Sequence, residues 1–129
     1  MPPITALTRI EPVHLDRLEK QGIFTTGLLL EVSETQTRRQ TLADQVDADT
    51  TDVLAWRDEA FLLNLAGFGP AEHALFIQAR VDGLHALTGV DLDVLSGRLA
   101  RAAVQLKQPA PDEATIEMWW EQARTLGGE

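Results

Sequence analysis

Two stretches of this chain, beginning at Leu7 and at Leu65, carry the same pattern of apolar residues and prolines at a fixed offset of 58. Leu7 pairs with Leu65, Ile10 with Phe68, Pro12 with Pro70, Leu18 with Phe76, Ile23 with Val81 and Leu29 with Leu87, without a gap. A second block closes each copy at an offset of 63: Val53-Leu54-Ala55-Trp56 with Ala60, then Ile116-Glu117-Met118-Trp119 with Ala123. The offset grows by five residues between the blocks, and Gln108-Pro109-Ala110-Pro111-Asp112 is the expected place for the extra length. A duplicated unit of this size constrains fold more tightly than composition does, because each copy must repeat one supersecondary arrangement. The reading is a first repeat over 4–60 and a second over 62–126, packed as one compact domain.

The period within each copy is helical. Pro2-Pro3 leads into a short turn of helix carrying Leu7 and Ile10, and Pro12 stands at a first helical position with Val13, Leu15 and Leu18 behind it. Gln21-Gly22 stops that helix, since glycine takes the left-handed conformation a helix end needs and Ile23 folds back onto it. Thr25 caps a second helix, and Ser33 with Gln36 has capping-box spacing for a third that ends near Val46. The stretch from Thr50 to Leu65 is expected to be the longest helix of the first copy. In the second copy, helices are expected from Pro70 to Ala79, from Gly83 to Leu87 under an Asp82 cap, from Asp91 to Lys107, and from Asp112 to Leu126. Gly127-Gly128-Glu129 is expected to fray. No run alternates with period two for long enough to make a strand, so the fold class is all-α.

Leu62-Leu63-Asn64-Leu65-Ala66-Gly67-Phe68-Gly69-Pro70 resembles the turn of a helix-hairpin-helix module, and Leu15 through Gly22-Ile23-Phe24-Thr25-Thr26 resembles the downstream half of one. Two such modules, each trailed by a tryptophan-bearing helix, resemble the bacterial family called domain of unknown function 4332, across almost the whole chain. The resemblance implies tandem helix-hairpin-helix-like modules and no assigned activity. In nucleic-acid-binding hairpins, glycines let backbone N–H groups at a helix N-terminus approach a phosphate while Lys or Arg supply charge. Gly67, Phe68, Gly69 and Pro70 are therefore a structural turn and a candidate phosphate contact. Copy one has Arg9-Ile10-Glu11 where the glycines would stand, and copy two offers Glu72 and no Lys or Arg until Arg80, which argues against that chemistry.

Charge points the same way. The formal net charge is −9, with 11 acids against 6 bases in residues 1–61 and 9 against 5 in 62–129. Neither copy is a basic module of the kind that draws affinity from phosphates. The 44% hydrophobic content argues against disorder, and the absence of cysteine excludes disulfides, thiolate metal sites and cysteine nucleophiles. No stretch approaches the length of a membrane span and none reads as a signal peptide, so a cytoplasmic location away from membranes is expected. His14, His73 and His85 with Ser33 and Ser96 form no triad pattern; His14 with Asp16 and Glu72 with His73 project from different helix faces, so neither pair converges on an ion. No catalytic residue, metal or cofactor is expected.

Trp56 and Trp119 are repeat equivalents and are expected to pack each trailing helix onto its own copy. Trp120 has Arg57 as its counterpart. Successive helix positions lie about 100° apart, so two adjacent indoles do not readily share one core. One reading makes Trp120, rimmed by Glu117 and Glu121, a contact for a protein partner; the other is a wide buried face. The functional expectation is a non-catalytic helical adaptor that binds another protein, with the last helix also a candidate homodimer contact. The alternative is nucleic-acid binding through Gly67–Pro70.

Overall fold

The computed structural model describes residues 2–127, and among them every regular element is helical. Eight α-helices follow a 3-10 turn at Ile4–Ala6: α1 Pro12–Lys20, α2 Thr26–Val32, α3 Gln36–Val46, α4 Thr50–Leu63, α5 Pro70–Gln78, α6 Leu84–Thr88, α7 Leu92–Leu106 and α8 Glu113–Leu126. The chain divides into two compact units, Met1–Asn64 and Leu65–Glu129. Gly128 and Glu129, most of the end expected to fray, lie outside the described residues.

In the first unit α1 packs on α3, and α4 packs on both α2 and α3. In the second, α5 packs on α7, and α8 packs on both α6 and α7. The same neighbours recur in the same order. The first core is built from Leu18, Leu29, Leu42, Val46, Val53 and Trp56; the second uses Phe76, Leu87, Leu95, Leu99, Ile116 and Trp119.

The helix ends repeat as closely as the helix faces. After α1, Gly22 takes φ +80°, its N–H reaches the Glu19 carbonyl at 2.9 Å, and the Ile23 N–H reaches back to Leu18 at 3.0 Å. This double bond with a buried apolar residue folded onto the last turn is a Schellman closure. After α5 the same two bonds run from Arg80 to Ile77 (3.0 Å) and from Val81 to Phe76 (2.9 Å), with Arg80 at φ +61°. Asp47 after α3 and Lys107 after α7 form the second such pair, both at φ +55°.

Four local expectations are corrected. The first turn of helix lies at Ile4–Ala6 and not over Leu7 and Ile10; Leu7 is already extended, and the Thr8 and Arg9 amides are taken by a side chain from α4, leaving nothing for a helical ladder. Thr35, not Ser33, caps α3 by accepting from the Arg38 N–H at 3.2 Å. Ser33 is drawn inward, donating to the Leu29 carbonyl and accepting from Arg57 at 2.7 Å. Gly83 rather than Asp82 occupies the N-cap of α6. The extra five residues are also split: Asp47 and Lys107 close α3 and α7 at an offset of 60, so two residues enter before the end of α7 and three in the loop after it.

Candidate functional site

Gly67 has φ +70° and nothing within 4 Å of where a Cβ would stand, so glycine is there for its backbone conformation. Gly69 is extended, and its N–H donates to Glu72 Oε1 at 2.8 Å. Phe68, between them, is buried with its ring edge-on to Phe76 at 4.9 Å and to Trp119 at 5.6 Å. Pro70 opens α5, where its missing N–H is no loss. The turn is held from α8 as well: the Trp119 indole N–H donates to the Ala66 carbonyl at 2.7 Å, and the Ala66 N–H donates to Gln122 Oε1 at 3.1 Å.

These bonds decide what the turn has left to offer. The amides of Ala66, Phe68 and Gly69 are satisfied by Gln122, the Leu65 carbonyl and Glu72 respectively. The Glu72 carboxylate stands at the positive end of α5, the place an external anion would take.

In the first unit this arrangement goes further. Glu59, 0% exposed, accepts from the Thr8 N–H at 2.8 Å, the Thr8 hydroxyl at 2.6 Å and the Arg9 N–H at 2.9 Å. Beside it Arg9 pairs with Asp58 at 2.6 Å. The turn that lacks glycines thus carries its own buried carboxylate. Glu59 and Gln122 are equivalents at the offset of 63, as Thr8 and Ala66 are at 58. From sequence, Glu59 beside Asp58 reads as a helix N-terminal or solvent-facing charge, which its complete burial corrects, and Gln122 is not singled out. Each stands three residues after its tryptophan, which puts it on the same side of the helix, and that spacing is the signal that would have found both.

On α8, Ile116, Trp119 and Ala123 form the buried stripe while Glu117, Met118 and Glu121 are exposed. Trp120 lies between the two, half-buried. Its indole N–H donates to the Val90 carbonyl at 2.9 Å, and the Arg124 guanidinium covers its ring at 4.6 Å. Arg57, its counterpart on α4, reaches the Leu30 carbonyl at 2.9 Å and lies over Phe61 at 5.3 Å. Phe61 and Arg124 are themselves equivalents, so each unit holds a cation–π pair at the same two positions with the roles exchanged. Burial holds the Arg57 guanidinium below its ordinary pKa, reinforced by repulsion from Arg39 and opposed by Glu34.

The histidines are dispersed. His14 tilts against Trp56 at 5.4 Å, His73 is buried in α5 and His85 is exposed on α6. Among the described residues no group of three or more His, Cys, Asp or Glu side chains is placed to hold a metal ion, and no helix is long and apolar enough to cross a membrane.

Comparison with known proteins returns one family. No curated protein and no solved structure matches the chain. The family model described as domain of unknown function (DUF4332) matches residues 8–126, nearly the full length. On that match the chain belongs to the domain of unknown function 4332 family.

Proposed function

We propose that this protein acts by binding rather than by chemistry, as a pair of helix-hairpin-helix-like modules that engage a protein partner. One observation carries the reading: the turn amides of Thr8, Arg9, Ala66 and Gly69 already bind side chains of the chain itself, Glu59 in the first unit and Gln122 with Glu72 in the second. A carboxylate at the turn repels phosphate, and a phosphate entering there would have to compete with acceptors the chain already supplies. Recognition then falls to side chains. The outward side of α8 is the surface we assign, with Met118 43% exposed between Glu117 and Glu121, and the edge of Trp120 alongside. An apolar centre ringed by acids suits a partner carrying an apolar pocket with a basic rim.

Two measurements test this. Affinity capture from the native host with the wild-type chain and with Met118→Glu is expected to recover a partner that the variant loses, at unchanged melting temperature; equal recovery removes α8 as the surface. Met118→Glu is preferred to Trp120→Ala because the indole also holds Val90 in place. Titration with single-stranded and duplex DNA at low salt is expected to give no binding. Affinity that falls steeply with salt and disappears on Gly67→Val would establish the nucleic-acid reading instead.

A further inference from the structure

We propose that the second unit contains a binding site for a small phosphate-bearing anion, in the groove between the end of α5 and the outer face of α7. Arg80, Arg98 and Arg101 line one cavity of 330 Å³ there, floored by Ala79 and Ala102 and closed on one side by Gln78, whose amide donates to Gln105 at 2.9 Å. No acidic residue lines it. None of the three guanidinium groups has a salt bridge or hydrogen bond to a described residue, in a chain whose acids outnumber its bases by 20 to 11. Three arginines gathered without a carboxylate repel one another, and an anion in the groove removes that repulsion. Guanidinium forks match the oxygens of a phosphate in paired hydrogen bonds, and three of them exceed what a single carboxylate satisfies.

Comparison with the first unit sharpens the assignment. The equivalent groove is lined by Gly22, Arg38, Thr41 and Gln45 where the second has Arg80, Arg98, Arg101 and Gln105. Only one arginine of the three has a counterpart. Gly22 and Arg80 share the left-handed backbone that closes the helix, a conformation natural to glycine and strained for arginine. The second unit thus holds a cation at the position where the first has glycine, and that side chain adds a third charge to the groove. The groove is separate from the α8 face and independent of the protein-binding reading.

Calorimetric titration of the full chain with inorganic pyrophosphate at fixed ionic strength tests it. Saturable one-to-one binding is expected, weakened about tenfold or more by Arg98→Ala, Arg101→Ala and Arg80→Gly and unchanged by Arg38→Ala. Arg80→Gly relieves backbone strain, so its loss of affinity is not a loss of folding. Absence of saturable binding at millimolar pyrophosphate, or equal affinity in the arginine variants, overturns the site. Equal affinity for citrate overturns the phosphate assignment, and tighter binding of a single-stranded oligonucleotide overturns the small-ligand assignment in favour of a nucleic-acid backbone.

Discussion

The two units solve the same local problems with different residues. Both must satisfy the amides of the turn ahead of their first helix: the first does so with a fully buried carboxylate that takes two N–H groups and a hydroxyl, the second with the Gln122 amide oxygen for one N–H and the Glu72 carboxylate for another. Both must anchor the end of their second helix, one through Arg57 to Leu30 and Ser33 and the other through Trp120 to Val90 just beyond it. Both stack a cation on a ring across one turn of the trailing helix, in opposite order. The difference teaches that each position is constrained by the bond it must make and not by residue type, because an unmet buried donor is costly whichever group meets it. It also shows where the constraint lapses: at the groove by α7, the units share backbone geometry but not charge.

The comparison breaks most visibly at the tryptophans. Trp119→Ala and Trp56→Ala are each expected to remove about 3–5 kcal/mol of stability in urea unfolding. Trp119 is expected to be the more severe, since it loses the Ala66 bond and contacts with Phe68 and Phe76. Equal losses would mean that volume alone matters. Next comes the turn: Glu59→Ala is expected to destabilise by about 3 kcal/mol and Gln122→Ala by about 1 kcal/mol, as a charged acceptor of three bonds outweighs a neutral acceptor of one. A Gln122→Ala loss as large as that of Glu59→Ala, read by thermal melting, would show that charge is irrelevant to the cap.

Smaller effects refine the picture. Arg80→Gly is expected to raise stability by about 0.5–1 kcal/mol, making the second unit like the first at that helix end. A fall would mean that Arg80 makes contacts which offset its strained backbone. The smallest effect is at the cap of α8. The Thr115 side chain and its N–H, the latter at 2.8 Å, both hydrogen-bond the Asp112 carboxyl and hold it below the usual 3.8. A depressed folded-state pKa gives stability that is present above the unfolded value and lost as the pH falls through the folded one. Asp112→Ala is therefore expected to flatten the stability profile slightly below about pH 4, and an unchanged acid limb in pH-dependent melting would sink the assignment.

Much of the helical layout was legible because it rests on local signals. Pro12 and Pro70, Gly22 and Thr25 mark boundaries by their own backbone preferences, and the apolar period marks the buried faces. Two of the misplacements share a cause. Ser33, Leu7 and Ile10 were read from neighbours in sequence, whereas their conformation is set by Arg57 and Glu59 from more than twenty residues away. The groove at Arg80, Arg98 and Arg101 was not legible at all, since no spacing rule joins a helix end to two positions on another helix.

The sequence by itself determined the repeat, the all-helical class and the family, because period, punctuation and offset are properties of residue order. Tertiary structure alone decided that the turns are closed by their own trailing helices, that Trp120 is tied down on one side, and that three arginines meet without an acid among them. Such facts depend on which side chains a folded backbone brings within hydrogen-bond reach, and a linear order of residues carries that distance only after the core has formed.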